Sequence, residues 1–281
     1  MDEVHGHDID SAVADRKRTD RRYVEPVGRR LRIAAGACVG LVLLGLGLGI
    51  ALDEPRPVGV PGPEAEALAR RVEQATRLDA WERTGAIAFD FGGHRYLWDR
   101  RRELVEVRFD DLVVKLPLRG GRAVILRRGR PVTRQAERVE ARERAVRYFV
   151  NDSFWLNPLA KLREPGVVLS AATHRGRRGL LVSYTSGGIT PGDAYFWTLG
   201  PDGAPERWAM WVSVLPIGGL ETTWEGWTTL PTGARIALRH ANGPFSLELV
   251  SHVRAAPDLA SLAPGPDPFA DLEAAQDAHP P

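Results

Sequence analysis

One cysteine, Cys38, is all the chain has. No disulfide can close within it, so the fold must be held by its own apolar core. Lysine is nearly missing too: it occurs only at 17, 115 and 161, and arginine carries the rest of the positive charge. The formal net charge is just +2, and no arginine stripe interleaved with aromatics runs along one element. That leaves no electrostatic footprint for nucleic acid. The mildly basic remainder admits only a weak attraction to an anionic membrane surface.

The usual marks of catalysis are absent as well. There is no GxSxG elbow, no HExxH, no CxxC and no glycine-rich phosphate loop. Histidines at 94, 174, 240 and 252 are scattered without the spacing of metal ligands. Glu221 and Glu225 resemble a glycosidase pair, but four residues apart on one strand they would stand about 13 Å from each other, too far for that chemistry. The chain therefore reads as non-catalytic, with no cofactor and no metal.

What is present is a long apolar run. Ile33–Leu52 is twenty residues without a charge, enough at about 1.5 Å per residue to cross a bilayer core of about 30 Å. Lys17 to Arg32, just before it, holds seven Lys/Arg against two acids, and Asp53 and Glu54 follow it. Basic flanks stay in the cytoplasm. The expectation is a signal anchor in a bacterial inner membrane, crossing once, with residues 1–32 as a disordered basic tail inside and everything after Asp53 in the periplasm. A cleaved signal peptide is the alternative, although the run is longer than such signals usually are. Gly36 and Gly40 form a small-xxx-small step that would suit a homodimer.

Beyond the run, PRPVGVPGP within 53–63 reads as a stiff Pro-rich linker. Leu68, Val72, Ala75 and Leu78 predict an amphipathic helix over 64–81. From Thr84 the period becomes two, with TGAIAFDF, HRYLWDR, ELVEVRF, LVVKLPL and RAVILRR joined at Gly92-Gly93, Asp110-Asp111 and Gly120-Gly121. A charged helix over 134–150 interrupts this meander. A second meander follows to about 254, turning at Asp202-Gly203, Thr232-Gly233 and Asn242-Gly243. The expected fold of 64–254 is mainly β with two helices, an antiparallel curved sheet or half-open barrel. Residues 255–281, rich in Pro, Ala and Asp, read as a disordered acidic tail. Aromatics fall on both faces of several strands: Trp208 and Met210 lie opposite Trp211, and Tyr195 and Trp197 lie opposite Phe196. Such an excess implies a lined cavity, covering helices or a partner.

Two segments carry a resemblance. Asn151-Asp152-Ser153-Phe154-Trp155-Leu156-x-Pro158-x-x-Lys161-Leu162-x-x-Pro165-Gly166 and Thr190-Pro191-Gly192-Asp193-x-Tyr195 are similar to motifs of a family of uncharacterised bacterial envelope proteins. That family looks built on the lipoprotein-carrier fold of the LolA/LolB type, in which a half-open barrel holds acyl chains under a helical lid. The resemblance covers roughly 64–254 and implies a lipid or other hydrophobic ligand. Such carriers are free or lipid-anchored, whereas this chain reads as anchored by a helix.

The motif residues also have a reading of their own. Asp152 or Ser153 would cap a short helix holding Phe154, Trp155 and Leu156. Phe154, Trp155, Tyr195 and Trp197 would then line a cavity entrance beside Asp193, with Lys161 meeting an anionic head group. Plain packing and corner-turning is the alternative, with Lys161 paired to Asp152 or Asp193. A structural module with a filled barrel and an envelope protein partner is the other functional reading.

Overall fold

The computed structural model describes residues 53–186, 190–242 and 245–277. The expected cytoplasmic tail, the apolar run 33–52 and the glycines at 187, 188 and 243 lie outside the described residues. Among the described residues no helix is long and apolar enough to cross a membrane.

Two helices open the domain: α1 (Pro63–Thr76) and α2 (Leu78–Arg83). The sequence predicts one helix here. Arg77 divides it by adopting the left-handed conformation, φ 54°. Pro63 starts α1, where its missing N–H costs nothing. Of the expected stripe Val72 and Leu78 are buried and Leu68 packs half-buried against the core, and the buried face of α1 adds Ala65, Ala69 and Thr76. These small side chains let the helix lie close on the sheet below it.

Six strands follow as a meander: β1 (Ala86–Phe91), β2 (His94–Asp99), β3 (Leu104–Phe109), β4 (Leu112–Pro117), β5 (Val124–Arg127) and β6 (Arg130–Pro131). Gly92-Gly93 makes the β1–β2 turn with both φ positive, as a two-residue hairpin needs. Helix α3 (Gln135–Leu156) comes next, then a 3-10 turn (Pro158–Lys161). The second meander comprises β7 (Val167–His174), β8 (Arg177–Tyr184), β9 (Ala194–Leu199), β10 (Pro205–Trp211) and β11 (Leu220–Thr223). The chain closes with β12 (Glu225–Thr229), β13 (Arg235–Asn242), β14 (Phe245–Leu247), β15 (Val250–Ala256), α4 (Leu259–Leu262) and α5 (Ala270–Asp277).

The fold is mainly antiparallel β with few helices. In place of one continuous sheet there are three: β15-β1-β2-β3-β4-β5-β6, β11-β10-β9-β8-β7 and β12-β13-β14. The last strand pairs with the first, Ala86 opposite Ala256. Asn242 and Ala241 of β13 reach β11 through hydrogen bonds to Glu221 and Thr223, at 3.0 and 2.9 Å. Helices α1, α2 and α3 share one apolar core with a face of these sheets, including Ile87, Val105, Leu180, Trp197, Trp208 and Ile236.

Three expectations need correction. Helix α3 does not stop at 150: it runs unbroken through Asn151-Asp152-Ser153 to Leu156. Its buried stripe is Ala141, Ala145, Phe149, Asp152 and Leu156, a helical spacing that includes the carboxylate. Asp152 therefore caps nothing. Pro158 limits the helix, and Asn157 is already out of helical geometry.

The C-terminal segment is not a disordered tail over its described part. Helices α4 and α5 cover the outer face of the first sheet, where Leu259, Leu262, Phe269 and Leu272 pack on Ala86, Ala88 and Leu104. The acids that made this stretch look like a solvated tail are anchors. Arg102 holds Asp267 at 2.6 Å and Glu273 at 2.8 Å, and Lys115 holds Asp271 at 2.9 Å.

The Pro-rich segment is extended, but it is not a free linker. Residues 53–62 form a strap across the outer face of the second sheet. Gly218 N donates to Asp53 Oδ1 at 2.7 Å, Trp211 Nε1 donates to the Glu54 carbonyl at 2.7 Å, and Arg56 donates to Ser183. Val60 pairs with Ala171 through two backbone bonds of 2.9 Å. Beneath the strap lie Ala172, Leu181, Ala194 and Phe196, with Trp211 beside them. Strap and tail thus account for the aromatic and apolar residues on the second faces. A side chain at Gly59 would begin 2.5 Å from Ser170 Cβ. Gly59→Ala is expected to cost about 1–2 kcal/mol by overpacking and to speed proteolysis within 53–62, as denaturation and limited digestion would show.

Candidate functional site

Alternation on β9 and β10 turns Tyr195, Trp197, Trp208 and Met210 to the inner face, and the last turn of α3 lays Phe154 and Trp155 on them. The rings interlock. Tyr195 stacks on Trp208 at 4.7 Å, and Phe154 is 5.1 Å from Tyr195. Trp155 meets Trp208 at 4.9 Å, while Trp197 and Trp224 each lie 5.0 Å from Trp208. His240 closes the group, 4.3 Å from Trp224 and 5.4 Å from Trp155. Offset and edge-on contacts of this kind are the favourable ones.

Four predicted site residues are therefore brought together: Phe154, Trp155, Tyr195 and Trp197. Phe154 and Trp155 are half-buried and the other two buried. Burial raises the Tyr195 phenol above its ordinary range, and nearby Asp193 adds to that. The remaining two belong elsewhere. Lys161 pairs with Glu164 at 3.2 Å, so neither expected partner, Asp152 or Asp193, takes it. Asp193 is buried as a turn anchor: it accepts from Thr190 Oγ1 at 2.5 Å and from Ser213 N at 2.9 Å.

The aromatic cluster carries unanswered polar atoms. Trp208 Nε1, Trp224 Nε1 and His240 Nε2 are buried without a hydrogen-bond partner. Each such atom costs about 1–3 kcal/mol if nothing meets it. His240 Nδ1 lies 3.2 Å from the Thr223 carbonyl, a bond that places the proton on Nδ1 and leaves Nε2 as an acceptor. Two donors and one acceptor on touching rings are the complement of a hydroxyl group or a water.

Burial lowers the pKa of His240, against a smaller opposing effect of the Thr223 bond. His174, under the strap, is lowered mainly by burial too. In the unfolded chain these rings take up protons near their ordinary value of about 6.5, whereas the folded domain resists protonation. Stability should therefore be complete above about pH 7 and fall as pH drops through that value. The melting temperature is expected to decline between pH 7 and 5, with His240→Gln removing part of the slope.

Sequence reasoning missed a second cluster. Asp152 projects from the buried stripe of α3 toward β2. Its Oδ2 faces His94 Nδ1 at 2.8 Å and accepts from the Tyr96 hydroxyl, and its Oδ1 accepts from Asn151 Nδ2 at 2.8 Å. The His94 ring stacks on Tyr148 at 4.0 Å. A histidine oriented by a buried carboxylate is also half of a general-base arrangement. Here, among the described residues, no serine, threonine or cysteine is hydrogen-bonded to it. The available signal was Asp152 at a helical interval from Phe149 and Leu156.

Beside the 3-10 turn lies a groove of about 480 Å³. Leu78 and Trp81 from α2 and Leu159 and Leu162 from the turn form its buried floor, with Glu73, Glu82 and Arg163 at the rim. Arg163 is held by Glu73 at 2.6 Å and Glu66 at 2.8 Å. Arg100 stands over Trp81 at 4.8 Å, and burial pushes its guanidinium down to about 10.

No protein-family model matches this chain, and no curated protein matches it either.

Proposed function

We propose that this protein is a membrane-tethered, non-catalytic binding protein of the bacterial envelope. Residues 33–52 hold it in the inner membrane, with the amino terminus in the cytoplasm and the folded domain in the periplasm. On this reading the sheets act as a half-open barrel of the LolA/LolB type, the helices as plug and lid, and the ligand is a lipid or another apolar molecule. The groove of about 480 Å³ carries the proposal. Its size suits a small ligand, its floor is apolar, and its wall at 158–162 continues the helix end that bears Phe154 and Trp155. Each methylene buried there contributes about 0.8 kcal/mol. Arg163 at the rim and neighbouring Lys161, held by Glu66, Glu73 and Glu164, would meet an anionic head group by exchanging those partners. Tyr195 and Trp197 form the deeper wall that an acyl chain reaches once Phe154 and Trp155 move aside.

Native mass spectrometry with lipid extraction, on the full chain purified from a bacterial envelope, tests this. A retained lipid is expected, lost in Ala160→Trp, which fills the groove while leaving the thermal unfolding intact. A chain that carries no lipid and takes up neither added phospholipid nor fatty acid overturns it. The mutual packing of Trp155, Trp197, Trp208 and Trp224 favours a second reading, a structural module of the envelope whose filled interior supports a surface for a protein partner.

A further inference from the structure

Seven large apolar side chains are exposed among the described residues, and five of them gather on one side of the molecule. Val58 and Val60 belong to the strap, Val168 to the strand beside it, and Val214 and Leu215 to the loop between β10 and β11. That loop ends at Gly218, which the strap grips. Gly218 N donates to Asp53, and Glu54 N donates to the Gly218 carbonyl at 3.2 Å. Asp53 is the first residue after the apolar run.

Charge on this side is also ordered. Arg175, at the β7–β8 turn, holds Glu54 through Nε at 3.0 Å and lies 3.7 Å from Glu221, which Arg207 also holds at 2.9 Å. Asp53, itself exposed, accepts from a backbone N–H. Glu54 and Glu221 are thus paired with arginine, while Arg56, which donates to Ser183, and Arg177 have no acidic partner among the described residues and are exposed. Exposed valine and leucine beside uncompensated arginine is the composition of a surface that rests at the boundary of an anionic bilayer.

We propose that the strap side of the domain is a bilayer-facing surface. Val58, Val214 and Leu215 enter the headgroup region, and Arg56 and Arg177 meet anionic phospholipid. This inference rests on the tether in the proposed function, and the test separates the two.

The full chain, in a Cys38→Ser background, is reconstituted into phosphatidylethanolamine/phosphatidylglycerol vesicles. Nitroxide labels are placed at Val214→Cys or, on the outer face of α3, at Val139→Cys. The expected result is that the Val214 label is shielded from a water-soluble nickel complex at least several-fold more than the Val139 label, and is more open to oxygen. Arg177→Glu, or a pure phosphatidylcholine vesicle, should shrink that difference. If the chain floats with vesicles and resists alkaline extraction, yet both labels meet nickel equally, the tether stands and the bilayer-facing surface is wrong. Release by alkaline extraction overturns the tether and this surface together. Shielding that persists in detergent micelles with excess neutral detergent, in a dimer, assigns the face to a second copy and overturns the lipid contact.

Discussion

Replacing Trp208 by alanine is expected to destabilise the domain by about 4 kcal/mol, the cost of an unfilled cavity left by a large core aromatic. Trp208 is almost fully buried, and the rings of Phe154, Trp155, Tyr195, Trp197 and Trp224 all touch it. Trp208 joins α3, β9 and the β11–β12 junction at one point. The loss is read as a shift in the denaturant midpoint at unchanged slope, together with collapse of the near-ultraviolet dichroism of the stacked indoles. Trp208→Phe should cost about 1–2 kcal/mol, because it forfeits volume but also removes an N–H that has no partner. A loss below 1 kcal/mol for the alanine variant would mean that these rings do not interlock as described.

The second large effect lies at Asp152. Asp152→Ala should cost about 3 kcal/mol, since it leaves the Tyr96 hydroxyl, the His94 ring and Asn151 without their shared acceptor in a buried place. Asp152→Asn keeps the shape and should lose less. Tyr96→Phe alone should cost about 1 kcal/mol, and combining it with Asp152→Ala should add little, because both remove the same bond. Burial, then the bond to Asp152 and its charge, raise the Tyr96 phenol far above its ordinary range. In the unfolded chain it ionises near pH 10, so stability falls as pH rises through that value. Phenolate absorbance from Tyr96 should appear only with unfolding.

The strands of both meanders are legible in the sequence because their signal is local. Alternation, Gly92-Gly93 and Asp110-Asp111 mark hairpins wherever the rest of the chain goes, and the inner and outer placement of Trp208 and Trp211 follows from parity alone. What stays hidden is long-range compensation. Nothing near Asp267 or Glu273 shows that Arg102 will neutralise them, so a proline-rich acidic stretch looks like a solvated tail. Likewise Pro55 and Pro57 show that the strap is extended, but not that Gly59 lets it lie on Ser170. The helix end is hidden for a related reason. Asn151, Asp152 and Ser153 are locally better at starting a helix than continuing one, and only the partners on β2 outweigh that preference. At the candidate site, strand parity and the motif spacing pick out aromatics that meet around Trp208, while the pairings of Lys161 with Glu164 and of Asp193 with Thr190 and Ser213 depend on turns whose geometry the sequence does not show.

The pairing of β15 with β1 has a consequence for how the chain is made. The first strand of the domain cannot complete its sheet until the last has been synthesised, so one edge of β1 stays open through nearly the whole of translation. Open edges recruit other chains, and contacts this distant in sequence slow the search for the native state. The first meander can form its hairpins as it emerges, but cooperative folding has to wait for the carboxyl-terminal segment, which supplies the missing neighbour and then the helices that cover the same sheet. A chain released early would present a partly apolar sheet with an unsatisfied edge, the kind of species that holding chaperones capture and proteases clear.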